Sequence, residues 1–372
     1  MNKTGAKKIV QDLLALADVQ INGTQPTDMR VYNENLYSRI LAGGTLAVGE
    51  AYMDGWWDSP QLDAFFAKVL TAELNKKIAP KKLVWPVLKS KIINAQTKTR
   101  SQKVAKQHYD LGNDFYAAML DKRLQYTCAY WPTANTLNEA QEHKLDLVCR
   151  KLQLSKNDTV LELGGGWGGF AKYAAEKYGC AVVSYNISAE QVAYAKNYCA
   201  SLPVKIIQAD YRTASGKFDK VVSIGMCEHI GYKNYASFIK LVQRCLKPGG
   251  LFLLHTIGYI TSSTTIEPWF NKYIFPNGML PSLAQLTTAL EGRFVIEDVH
   301  NFGTDYDKTL LAWHRNFVEH WPRFKEQYGE RFYRMWQYYL LSSAGSFRAR
   351  KNQLWQLILS KDGVPGGYQS IR

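Results

Sequence analysis

The stretch DTVLELGGGWGG, residues 158–169, constrains the fold more than any other part of the chain. An apolar run that closes on glycines predicts a buried strand turning sharply into a helix. Glycine is needed where the backbone takes positive φ or lies directly against a ligand. The helix that follows from Trp167 aims its free N–H groups and positive dipole end at whatever binds there. The pattern then repeats, with strands expected at 158–164, 181–186, 204–208, 218–224 and 251–257 and helices at 167–178, 188–200 and 233–245. Such alternation predicts an α/β fold, a Rossmann-like doubly wound, mostly parallel sheet with helices on both faces. Ser188 with Gln191 predicts a capping box, and Pro248, Gly249 and Gly250 stop a helix before the next strand.

The spacing Gly164, Gly166, Gly169 satisfies the dinucleotide fingerprint, which alone does not separate one nucleotide cofactor from another. Two features point away from NAD. The carboxylate of Glu162 lies inside the strand, just ahead of the glycines, and Asn186 stands about 20 residues on, where a ribose-binding acid would be expected. An acidic residue in that place is the habit of S-adenosylmethionine (AdoMet) methyltransferases, whose cofactor carries a carboxylate, an amine and a sulfonium but no pyrophosphate. NAD or FAD, or a purely structural glycine turn, are the competing readings.

Ligands of such sheets bind at the carboxyl ends of the strands. Those ends are 164–166, Asn186, 210–211, 227–228 and His255. GMCEHIG places Glu228 and His229 just past an apolar strand, a poor place for a carboxylate unless something there needs one, and HTIG does the same for His255. Cys128, between Tyr126 and Tyr130, reads by composition as a buried small hydrophobe. The aromatic, proline-containing segments 267–282 and 300–310, the latter with Tyr306, interrupt the alternation and suit recognition of an apolar acceptor.

At 372 residues and 46% hydrophobic content, the chain is ample for two domains. Its net charge of +14 is concentrated: residues 68–106 carry eleven Lys or Arg against the single acid Glu73. A solvated linker is the plain explanation, but the interleaved Trp85, Val87, Leu88, Ile92 and Ile93 suit an anionic membrane surface. Nucleic acid is the competing partner, disfavoured by the uncharged aromatic acceptor segments. The six cysteines show neither CxxC pairs nor histidine-clustered spacing, so they read as reduced cytosolic thiols, with no metal site and no disulfide framework. No segment approaches the roughly 18 apolar residues of a membrane span, so membrane contact is expected to be peripheral. The chain divides by pattern into a small α+β N-terminal domain at 1–75, in which Trp56 and Trp57 read as core, a basic linker at 76–103 and a catalytic domain at 104–372.

Over about 100–372 the chain resembles the cyclopropane-fatty-acyl-phospholipid synthases and, more loosely, the mycolic-acid cyclopropane synthases. The resemblance rests on QHYDLGNDFY, YTCAYW, VLELGGGWGG, ISAEQ, GMCEHIG, LLHTIG, EPWFNKYIFPNG, HNFGTDYDKTL and AGSFRAR, in order. It implies transfer of a methylene group from AdoMet to a cis double bond in an acyl chain of a membrane phospholipid. It implies that Tyr126, Thr127, Leu161, Glu162, Gly164, Gly165, Gly166, Trp167, Gly168, Gly169, Asn186, Gln191, Tyr211 and Arg212 surround AdoMet. It further implies that Cys128, Glu228, His255, Tyr306 and the backbone of Ile257 hold a bicarbonate ion, and that the enzyme is a homodimer on the inner face of the membrane. Gly165 stands where the family commonly has Cys, Asn186 where Thr is usual, and Ser343 where many members carry a cysteine, which argues against that thiol being essential. A related lipid C-methyltransferase giving a methyl branch, and a non-catalytic lipid-binding protein on the same scaffold, are the alternative readings.

Overall fold

The computed structural model describes residues 3–77 and 111–372. The greater part of the basic linker, with Trp85 and its apolar neighbours, and the start of QHYDLGNDFY lie outside the described residues. The chain forms two compact units, each assembled from separate stretches of sequence: Met1–Ile93, Thr265–Pro276 and Tyr306–Asn352 in the first, and Asn94–Thr264, Asn277–Asp305 and Gln353–Arg372 in the second.

The second unit carries a seven-stranded sheet. Its strands are β3 (Thr159–Leu163), β4 (Ala181–Asn186), β5 (Val204–Gln208), β6 (Phe218–Ile224), β7 (Leu246–Tyr259), β8 (Val295–Asn301) and β9 (Asn352–Ser360), in the order β5-β4-β3-β6-β7-β9-β8. The five strands from β5 to β7 are parallel, whereas β8 and β9 pair antiparallel. Period-two alternation sends successive side chains to opposite faces. Leu161, Val221, Phe252 and Leu254 join one core with Phe238 and Val242, whereas Val160, Val222, Leu251 and Leu253 join the other with Val148 and Phe170. A sheet buried on both faces explains why these strands are continuously apolar in sequence. This is the expected doubly wound α/β architecture, with element ends within a few residues of those expected. Two local expectations change: β7 begins at Leu246, directly after the helix that ends at Cys245, so Pro248, Gly249 and Gly250 lie inside the strand and not ahead of it; and Ser188 caps the helix Ala189–Tyr198 by accepting from the Gln191 N–H, but the Gln191 side chain does not complete a box. It accepts instead from Asn186 Nδ2 at 2.9 Å, because that amide is buried and needs an acceptor.

The first unit is mainly helical, with a two-stranded ribbon of β1 (Arg30–Val31) and β2 (Trp57–Asp58). Trp57 is fully buried and donates from Nε1 to the Val48 carbonyl at 2.9 Å. Trp56 is only half-buried, with the Arg39 guanidinium 4.5 Å above its ring. Arg334 lies 4.1 Å over Tyr52 and donates to the Trp57 carbonyl and the Asp58 carboxylate, joining the helix Lys325–Arg348 to the ribbon. Among the described residues no helix is long and apolar enough to cross a membrane, and all six cysteines are buried and unbridged.

Candidate active site

The site is built at the carboxyl ends of the parallel strands of the second unit. β3 ends at Leu163, and the N–H groups of Gly164 and Gly165 both donate to the Tyr185 carbonyl of β4, at 2.9 and 3.2 Å. This pins the turn that leads into the helix Gly169–Tyr178. Gly164 holds φ at +88°, and a Cβ there would lie 2.9 Å from Met226 Cβ. A Cβ at Gly169 would run into the Gln125 amide and the Arg123 carbonyl. Gly164→Ala therefore adds about 1–3 kcal/mol of backbone strain as well as a collision. It is expected to weaken S-adenosylhomocysteine binding tenfold or more by titration calorimetry; unchanged affinity would show that the turn does not shape the cofactor site.

Glu162 is buried, and burial pushes its carboxyl up to about 7 against the opposing hydrogen bond from Ser184 and the charge of Lys144. Its Oε2 has no hydrogen-bond partner. A Cβ at Gly165 would meet Ser184 Oγ and this same carboxyl, so glycine leaves room for Glu162 to lie under the turn. Asn186 Nδ2 donates to the Gly166 carbonyl at 2.9 Å, joining the end of β4 to the turn. Asp210 accepts from the Arg212 N–H at 2.9 Å and shapes the half-buried pair Tyr211 and Arg212 past β5. Trp167 is buried, donates to Asn113 Oδ1 at 2.8 Å and packs on Tyr116, which meets Tyr126 edge-on at 5.4 Å. The Leu161 side chain belongs to the core beneath the sheet. An unpartnered buried carboxyl oxygen beside a tight glycine turn suits a ligand that brings its own donors, as the amine and ribose of AdoMet do.

The segment 125–128 is held from the helix Leu137–Lys151 by two residues that sequence reasoning did not single out. Gln141 Nε2 donates to the Thr127 carbonyl at 2.8 Å, and Lys144 Nζ donates to Gln125 Oε1 at 2.7 Å and Thr127 Oγ1 at 2.9 Å. Lys144 is fully buried, which lowers its pKa to about 8 although Asp121, Cys128 and Glu162 favour the charged form. A signal was present: Lys144 and Lys151 lie among Ala140, Leu147 and Val148 on the buried face of this helix, and lysine on such a face requires buried acceptors.

Glu228 and His255 meet the rim from adjacent strands. Glu228 Oε1 accepts from the Ile257 N–H at 2.7 Å, so this backbone donor is already engaged, while Glu228 Oε2 is buried without a partner. Burial raises its pKa to about 7, opposed by the Ile257 hydrogen bond. His255 is 1% exposed; burial, then the charges of Lys144 and Lys151, push its pKa well below the usual range, so the ring is neutral. Its Nε2 makes no hydrogen bond. Cys128 is buried close enough for its thiol to influence Lys144, and the Gly225 turn ahead of Glu228 closes on Thr127, where a Gly225 Cβ would lie 2.5 Å from Cγ2. Glu228, just past the end of β6, is thus tied to Ile257 of the neighbouring β7, the strand that also carries His255, while Cys128 lies in the segment held from the helix Leu137–Lys151. Tyr306 belongs to the first unit, where its ring packs 4.6 Å from Phe347.

The sequence matches the family model described as mycolic acid cyclopropane synthetase over residues 96–357. A cyclopropane-fatty-acyl-phospholipid synthase of Escherichia coli K12 is 48% identical over 366 residues, which cover 98% of this chain and 96% of the relative. A tuberculostearic acid methyltransferase of Mycobacterium tuberculosis is 30% identical over 354 residues, covering 89% and 82%. The crystal structure of a mycolic acid cyclopropane synthase complexed with SAH and CTAB matches with a TM-score of 0.65 and 30% identity, covering 70% of this chain and 98% of that one. The chain belongs to the mycolic acid cyclopropane synthetase family of AdoMet-dependent methyltransferases.

Proposed function

We propose that this enzyme adds a methylene group to the cis double bond of unsaturated acyl chains in membrane phospholipids, forming cyclopropane fatty acids. The observation that carries this reading is that buried Glu228 and His255, at the carboxyl ends of the parallel strands, each keep one polar atom unpartnered. The near-full-length likeness to a relative named as a cyclopropane-fatty-acyl-phospholipid synthase supports the choice of acceptor.

AdoMet, held by the glycine turn with Glu162, Asn186 and Gln191, supplies an electrophilic methyl group. An alkene is a weak nucleophile, so positioning is the larger part of catalysis, with up to roughly 7–11 kcal/mol available from holding reactants at near-attack distance. Methylation leaves a carbocation on the acyl chain, and the buried surroundings of Glu228 and His255 exclude the water that would trap it. A bicarbonate ion held by these residues would supply the base for the proton that the former methyl group loses as the ring closes. The residues fit such an anion: neutral His255 offers an N–H, and Glu228, with a pKa near 7, can donate as an acid through Oε2. Cys128 completes the anion's proposed partners within this unit. We place the working enzyme, as a homodimer, on the inner face of an anionic membrane, with the N-terminal domain and basic linker as its lipid-contacting parts.

The test is incubation of vesicles of unsaturated phosphatidylglycerol and phosphatidylethanolamine with enzyme and AdoMet, followed by mass spectrometry and chromatography against standards. Acyl chains heavier by one methylene that co-migrate with the cyclopropane standard are expected. A methyl-branched product, as the name of the tuberculostearic acid relative would suggest, would overturn ring closure while keeping the cofactor. No gain despite measurable AdoMet binding would overturn the acceptor.

A further inference from the structure

His255 also meets a buried polar side chain from another strand. Gln356, on β9, is fully buried, and its Nε2 lies 3.2 Å from His255 Nδ1; Gln356 Oε1 has no partner. Every other feature around the ring favours neutrality and immobility. The Phe302 ring meets it edge-on at 5.8 Å, and the ammonium groups of Lys144 and Lys151 oppose a second proton. In a neutral imidazole one nitrogen donates and the other accepts, and the partner of one decides the role of the other. With the Gln356 amide donating to Nδ1, the proton sits on Nε2, the unpartnered atom.

We propose that Gln356 is the positioning residue of the site: by donating to Nδ1 it holds His255 as the Nε2–H tautomer, so that the ring presents a donor and not a lone pair to the anion beside Glu228. This rests on the reading that His255 faces a bound anion. It assigns a role to β9, a strand far from the glycine turn in sequence. The antiparallel insertion of β9 between β7 and β8 is what brings Gln356 against His255. Glutamate at 356 would reverse the arrangement once ionised, above the pH at which burial holds its proton, because a carboxylate only accepts and would draw the proton to Nδ1.

The test is nitrogen-15 NMR of histidine-labelled enzyme, with His255→Asn to assign the resonance, alongside steady-state kinetics. Wild type is expected to show bare Nδ1 and protonated Nε2. Gln356→Glu is expected to move the proton to Nδ1 and lower kcat about 10- to 100-fold, by analogy with the loss of a partner that orients a metal-ligating histidine, with KM for AdoMet within about twofold. Gln356→Met, which cannot hydrogen-bond, guards against a carboxylate-specific folding defect and should lower kcat without the reversed spectrum. A wild-type ring protonated on Nδ1, or a reversed ring in Gln356→Glu with unchanged kcat, would falsify the assignment. If the tautomer is as expected but wild-type turnover does not respond to added or depleted bicarbonate, the assignment of Gln356 stands and the bicarbonate reading falls.

Discussion

Glu228→Ala is expected to lower kcat by about 10²- to 10⁴-fold, the usual worth of a group acting in proton transfer, while S-adenosylhomocysteine still binds. Alanine strips the acceptor from the Ile257 N–H and removes the inward oxygen together. Glu228→Gln separates the two. The amide still accepts from Ile257 and places a permanent donor where the protonated acid would donate, so it should retain more activity than alanine. A glutamine variant as inactive as the alanine one would assign the work to the ionised carboxylate.

The same pair carries a stability signature with a definite sign. In the unfolded chain Glu228 ionises near its ordinary 4.5, but burial holds the proton up to about 7 in the folded protein. Between those values the folded state binds more protons than the unfolded one, so stability falls as pH rises through this window and levels off above it. The shift corresponds to about 3 kcal/mol at most. Glu228→Gln removes this contribution, so the apoenzyme variant should be more stable than wild type near pH 8 and equal to it near pH 4, by denaturant titration at each pH. Equal stability at both would show that Glu228 ionises freely in the folded protein.

Lys144→Met is the second large effect. It removes a buried cation at little cost in volume but leaves Gln125 Oε1 and Thr127 Oγ1 without their donor. Each orphaned acceptor costs about 1–3 kcal/mol, so a loss of about 2–6 kcal/mol in unfolding free energy and a clear rise in KM for AdoMet are expected. The affinity should fall because the segment bearing Tyr126 and Thr127 loses its anchor. Lys144→Arg, too large for the space, should not rescue it. A stable methionine variant with ordinary KM would show that Gln141 alone holds the segment.

Much of this protein is legible in its residues. The glycine turn, the parallel strands and the polar residues at their ends are local facts: apolar runs of strand length, glycines where φ is positive, and carboxylates too close to apolar strands to be accidental. The resemblance of the motifs carried the cofactor and the acceptor further than pattern alone could. Less legible were Lys144, Lys151 and Gln356. Lysine within an amphipathic helix and glutamine within a strand read as solvent-facing until the partners that bury them are known. Strands β8 and β9 escaped the alternation because their segments follow aromatic insertions and pair antiparallel, out of the repeating rhythm.

The division follows from the range of the forces. Backbone conformation, strand period and turn chemistry act over a few residues, so primary structure alone dictates the doubly wound sheet and the location of the cofactor turn. Whether Glu228 holds a proton near neutrality, which nitrogen of His255 donates, and why a lysine is buried beneath Thr127 depend on groups 17 to 101 residues apart in the chain. Desolvation and hydrogen-bond pairing act through space, and only packing β9 beside β7 and the helix Leu137–Lys151 beneath segment 125–128 brings those groups together.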